Sequence, residues 1–156
     1  MSYDSVSFNF QSLTTVSSGV EFNADGTKLY LMGYGNSTLY QHTLSTAFDI
    51  STATYDSVSL NQTSQSTNIA SMVFNPEGTK LYSVTNFSDT VYQYTLSTGF
   101  DISTATYDSV SKSLTTQDTQ AWSIGFNTAL LAIKYTNTQL ASNPTPLERF
   151  SNDYQI

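Results

Sequence analysis

The sequence predicts an all-β protein built from stacked or radially arranged units of 52 residues. Repetition is the first observation behind that reading. Tyr-Asp-Ser-Val-Ser occurs at 3–7, 55–59 and 107–111, and Phe-Asn at 22–23, 74–75 and 126–127. Between 22–60 and 74–112 about two positions in three are identical, without a gap. A fixed period of this size is the signature of repeated supersecondary units. Composition is the second: Tyr, Thr, Val and Phe, which favour strands, are abundant, and no stretch carries a helical period. One repeat domain is expected over 1–156, with units at about 3–54, 55–106 and a divergent 107–156.

The second unit shows the elements most clearly. Ile69 to Phe74 is a short apolar run with small residues, as in a strand buried on both faces. Asn75-Pro76-Glu77-Gly78 follows, matched by Asn23-Ala24-Asp25-Gly26 in the first unit. Asp-Gly is a hairpin signal because Gly accepts positive φ. Lys80 to Val84 is the next strand, and Asn86-Phe87-Ser88-Asp89 the next turn. Thr90 to Leu96 alternates, with Tyr92, Tyr94 and Leu96 on one face and Val91 and Gln93 on the other. The connection 97–106 carries Phe100-Asp101-Ile102, and Tyr107 to Leu114 alternates as a fourth strand.

Four short antiparallel strands per unit is the content of one β-propeller blade, so the expected fold is β-propeller-type with three such blades. The first strand of each unit keeps its apolar residues in register: Val20, Met72 and Ile124, then Phe22, Phe74 and Phe126. Small residues at Gly19, Ser71 and Ser123 suit an innermost strand crowded around an axis.

The unit resembles the blade repeats of YVTN-like β-propellers, as found in tail and surface proteins of marine phages and in bacterial surface proteins. Three segments carry the resemblance: Phe-Asn-x-x-Gly-Thr-Lys-Leu-Tyr (22–30, 74–82), Tyr-Gln-x-Thr-Leu-Ser-Thr (40–46, 92–98) and Phe-Asp-Ile-Ser-Thr-Ala-Thr (48–54, 100–106). It covers roughly residues 3–127 and implies a repeat type rather than an activity, because such folds host many roles.

The phase of the repeat adds to its existence. The chain starts on an outer-type strand, Tyr3 to Phe10, and the third unit decays after Asn127. Thr128 to Tyr135 still reads as a strand, and Phe150 to Gln155 resembles Phe87 to Gln93. Three units are fewer than the four to eight of a closed propeller. The layout therefore predicts completion by strand exchange with another copy, as a closed dimer or a filament, with a fragment of a longer array as the third alternative. The residues expected to carry assembly are Tyr3, Val6, Phe8 and Phe10 at one end and Phe150 and Tyr154 at the other.

Charge and composition exclude several function classes. The net charge of −7 disfavours nucleic-acid binding, and there is no basic cluster for anionic lipids. No apolar run approaches membrane-spanning length, and no signal-peptide pattern is present. Cysteine is absent, which removes disulfide and thiol chemistry.

The search for chemistry yields little. His42 is the single histidine, and its counterpart 52 residues on is Tyr94, so packing explains it better than catalysis. Asp25 and Glu77 fit turn chemistry, Asp49 and Asp101 fit Asx-turns, and Asp4, Asp56 and Asp108 are expected to face solvent. Gly33-Tyr34-Gly35 lacks the lysine and helix of a phosphate loop and reads as a turn. Asn36, Asn61 and Asn86 begin Asn-x-Ser/Thr sequons, about as many as this Ser/Thr-rich composition yields by chance. No metal, cofactor or catalytic group is expected. Positions that break the repeat are Glu21, Tyr34, Trp122 and the segment from Thr128. Trp122 is expected to fill space near the axis, with Tyr34 and Trp122 as possible ligand-facing aromatics. The expected function is a non-catalytic structural, self-assembling module of a virion or extracellular surface; the alternative is a glycan- or receptor-binding adhesin.

Overall fold

In a computed structural model, residues 4–117 and 120–126 are described. They form two four-stranded antiparallel sheets, each a simple meander. The first contains β1 (Ser17–Phe22), β2 (Lys28–Gly33), β3 (Thr38–Leu44) and β4 (Ala53–Asn61). The second contains β5 (Ile69–Phe74), β6 (Lys80–Thr85), β7 (Thr90–Leu96) and β8 (Ala105–Ser113). The four strands expected for one unit are therefore present in both, in the expected order.

The turns follow from the sequence. Gly26 and Gly78 sit at φ +73° and +70°, a region that L side chains rarely adopt. Asp25 Oδ1 accepts from the Thr27 amide at 3.0 Å and fixes the same turn. The ring of Phe48 lies over Gly26 so closely that a Cβ there would stand 2.4 Å from it. Phe100 covers Gly78 in the same way. Asp49 and Asp101 each cap a short 3₁₀ turn by accepting from the amide two residues on, at 3.0 Å. These are the Asx-turns that the sequence predicts.

A bulge interrupts the last ladder of each sheet, between Gln41 and His42 and between Gln93 and Tyr94. Ser57 and Ser109 carry it, at φ +58° and +59°. The bulge overturns one expectation. Asp56 and Asp108 are turned inward rather than to solvent, and their side chains are each only 16 % exposed. Asp56 Oδ2 accepts from Gln41 Nε2 at 2.9 Å, Thr43 Oγ1 at 3.0 Å and Lys28 Nζ at 3.3 Å. Asp108 accepts from Gln93, Thr95 and Lys80 at 2.6–2.9 Å.

The core lies between the sheets. Tyr30, Met32 and Leu39 of the first meet Ile69, Met72, Phe74, Leu81 and Ile102 of the second. Tyr30 and Phe74 rings stand 4.6 Å apart. Polar groups fix the register of this contact. The Tyr30 hydroxyl donates to the Phe100 carbonyl, the Ile102 amide to Gln41 Oε1 at 3.0 Å, and the Ile69 amide to Ser37 Oγ at 3.3 Å.

Two expected strands are not strands. Residues 4–10 form none, although Ser5 has the same positive φ, +65°, as Ser57 and Ser109. What β3 gives β4 and β7 gives β8, a paired third strand, this segment lacks. Residues 120–126 likewise form no ladder, so Ile124 and Phe126 do not sit on a strand. Tyr3, Phe150, Tyr154 and the segments 128–135 and 150–155 lie outside the described residues.

Candidate functional site

β1 and β5 occupy equivalent places in the two sheets, yet their surroundings differ. β5 is buried along almost its whole length, and β1 is largely exposed. Met72 is 5 % exposed and its counterpart Val20 56 %. Ile102 is buried, whereas Ile50 is half-buried. Phe48 is 60 % exposed, and Phe100 is partly covered by the core. The cause is the neighbour: the first sheet covers the second, and no described sheet covers the first.

That open face carries the same ring pair as its covered counterpart. Phe22 and Phe48 pack as a tilted pair, centroids 5.5 Å apart and planes at 54°, the same geometry as Phe74 and Phe100. Part of the face is covered by the N-terminal segment. Phe8 meets His42 edge-on at 5.1 Å, and Phe8 and Phe10 join Val20, Leu29, Leu31 and Ile50 around an apolar cavity of about 110 Å³. Val6 lies in the same segment. Of the residues expected to carry assembly, Phe8 and Phe10 thus fall beside this face. Sequence reasoning missed Val20, Phe22, Phe48 and Ile50, because the same residue types at the next unit are core.

His42 is fully buried between the Phe8 and Tyr55 rings, and neither ring nitrogen meets a hydrogen-bond partner. Burial pushes its pKa below the ordinary histidine value, so the ring is neutral. Its counterpart Tyr94 donates to Gln65 Oε1 at 2.9 Å; Leu13, 52 residues before Gln65, offers no such side-chain acceptor. The His42 ring packs among aromatic side chains.

A second feature brings together two residues 88 apart in sequence. Tyr34 and Trp122 rings stack with centroids 6.2 Å apart and planes at 24°. The Tyr34 hydroxyl donates to Asn86 Oδ1 at 3.3 Å. Trp122 is 55 % exposed. The pair sits at the end of the sheets that carries the β2–β3 and β6–β7 turns, where Phe87 is 78 % exposed.

Glu21, the remaining symmetry breaker, accepts from the Phe74 amide at 3.4 Å. Burial between β1 and β5 raises its pKa to about 7, with the Phe74 bond opposing. Among the described residues no group of three His, Cys, Asp or Glu could hold a metal ion, and no helix is long and apolar enough to cross a membrane. The chain matches no family model, no curated protein and no solved structure.

Proposed function

We propose that this chain is a non-catalytic structural module of β-propeller type that self-assembles at a virion or extracellular surface. Each sheet is read as one YVTN-like blade, and assembly buries blade faces and edge strands against neighbouring copies. One observation carries the reading: β5 is core while β1, its equivalent, exposes Val20 and leaves Phe48 uncovered. An apolar face of this kind is a mark of an interaction surface. Light scattering and sedimentation of the full chain across a concentration range test it. A mass that rises to that of a dimer or larger is expected; a fixed monomer mass refutes the reading.

The stacked pair Tyr34–Trp122 favours a second reading, a glycan- or receptor-binding adhesin. Exposed aromatic faces stack on sugar rings, and the Asn86 amide beside them can donate to a hydroxyl. Glycan-array binding lost in Trp122→Ala supports it, and an array signal unchanged by that substitution removes it.

A further inference from the structure

We infer that the end of the first sheet at the β2–β3 turn binds a neutral sugar, one pyranose ring lying on Trp122 and its hydroxyls entering an adjoining polar cavity. The inference rests on the adhesin reading and names its ligand class and the residues that select it.

The cavity is open, about 310 Å³, and lined by residues 11–15, Gly35 and Asn36. Small-molecule sites begin at about 300 Å³, so the space suits a small ligand. Its side chains are mostly polar, with Leu13 the exception. Gln11, Ser12 and Thr15 are exposed and offer both donors and acceptors. Asn36 is held in place beside them. Its Nδ2 donates to the Tyr40 hydroxyl at 2.7 Å and to the Leu13 carbonyl at 3.3 Å, and the Tyr40 hydroxyl donates to the same carbonyl at 2.8 Å. Both partners accept, which fixes the amide and leaves the buried Asn36 Oδ1 with no donor. Such an acceptor calls for a hydroxyl donor, from a bridging water or from the ligand.

The cavity lies where the repeat is broken. Tyr34, Gly35 and Asn36 stand where the second sheet has Asn86, Phe87 and Ser88, and Leu13 stands where it has Gln65. The two turns share a positive φ, +46° at Ser37 and +44° at its counterpart Asp89. What differs is bulk: Phe87 supplies a ring, and Gly35 supplies none.

The aromatic platform adjoins this space. The Tyr34 amide donates to the Val16 carbonyl at 2.9 Å, and that carbonyl also accepts from the Thr14 hydroxyl at 2.9 Å. Stack and cavity therefore share one backbone anchor. Tyr34 covers one face of the indole, and Trp122 keeps more than half of its surface open. A pyranose matches both halves: its C–H face packs on an aromatic ring, and its hydroxyls donate and accept along the cavity. Charge narrows the class. No Lys or Arg is among the residues lining the cavity, and the chain carries −7, so carboxylated and sulfated sugars are disfavoured.

The test uses the full chain with lactose, maltose, mannobiose and chitobiose, and with sialyllactose as the acidic probe. Trp122 is the single tryptophan, so its emission reports binding at the platform. Calorimetry gives the affinity of Trp122→Ala, which has lost that signal. Saturable binding of at least one neutral sugar is expected. Trp122→Ala, Gly35→Phe and the pair Ser12→Ala, Thr15→Val should each weaken it about tenfold. Gly35→Phe installs the residue of the second sheet, and a Cβ at Gly35 meets nothing within 4 Å, so no clash at Cβ opposes it. Affinity lost in Trp122→Ala but unchanged in both cavity variants overturns the cavity assignment while the adhesin reading stands. Sialyllactose bound more tightly than lactose overturns the neutral class. A wild type that binds no saccharide removes both the inference and the reading beneath it. Near-ultraviolet circular dichroism shows whether each variant is folded. If Gly35→Phe fails that check, the Ser12, Thr15 pair decides.

Discussion

The matched pair Tyr30 and Tyr82 separates contact between sheets from intrinsic strand stability. Both lie on the second strand of a unit, at the same register, with identical flanking Lys-Leu. Tyr30 is fully buried and its hydroxyl donates to the Phe100 carbonyl across the sheet interface. Tyr82 is half-buried, and its hydroxyl donates to no described residue. Tyr30→Phe keeps the ring contact with Phe74 and removes the donor from the half-buried Phe100 carbonyl, a loss of about 1 kcal/mol. Tyr82→Phe removes an oxygen that does nothing for the fold, so its effect stays within roughly 0.5 kcal/mol. Urea titrations followed by circular dichroism give the midpoints, compared at equal slope so that the unfolded states match. Two results refute the reasoning: equal losses in the two variants, or a Tyr30→Phe midpoint equal to wild type.

Further outcomes follow from the same geometry. Gly26→Ala and Gly78→Ala each force positive φ on an L residue and press its Cβ into a phenylalanine ring. Each should lose about 2 kcal/mol or more in the same titration. Adding Phe100→Ala to Gly78→Ala should relieve the clash but leave the backbone strain. Glu21 has its pKa raised from 4.5 to about 7, so between these values the folded chain keeps a proton that the unfolded chain has released. Stability should fall as pH rises through that window and level off above it, and Glu21→Gln should flatten the slope in thermal melts. His42 is shifted the other way. Below pH 6.5 the unfolded chain takes up a proton that the folded chain refuses, so stability falls as pH drops, and His42→Phe should remove that loss. Asp56 and Asp108 have lowered pKa values, Asp108 to about 2. Their contribution is present above pH 3.8 and lost as pH falls toward 2, and the Asp56→Asn, Asp108→Asn pair should show a shallower acid transition.

Strand order, turn residues and the Asx caps were legible because each is a local property. Gly26 and Gly78 mark positive φ whatever surrounds them, and Asp49 and Asp101 bond two residues ahead. The direction of Asp56 was not legible for an equally local reason. Simple alternation assigns it to the outer face, but Ser57 at φ +58° shifts the face on which its neighbours lie and turns the carboxylate onto Lys28, Gln41 and Thr43. Residues 4–10 repeat the Asp-Ser-Val-Ser letters of β4, and Ser5 keeps the bulge torsion, yet a strand also needs a neighbour to pair with. Tyr34 and Trp122 were each visible as breaks in the repeat; their stacking depends on how successive units sit, which no spacing encodes.

The contrast between β1 and β5 bears on how association would be specified. Val20, Phe22, Phe48 and Ile50 supply apolar area, and that attraction is non-directional. A flat greasy face by itself favours slipped and promiscuous contacts, the hazard that edge strands and open sheet faces bring. Between the two sheets of one chain, slippage is prevented by the Phe100 carbonyl and the Ile102 amide, each held by one side chain from the other sheet. The same two backbone groups stand at Phe48 and Ile50 on the open face. A partner that covered the rings without meeting them would leave a buried carbonyl and a buried amide unpaired, at a cost of roughly 1–3 kcal/mol each. Within the chain the apolar residues set how strongly the two sheets associate, and the two polar contacts set which register they accept. Replacing Gln41, whose amide already serves that role within the chain, should loosen the sheet–sheet register before it reduces the buried apolar area.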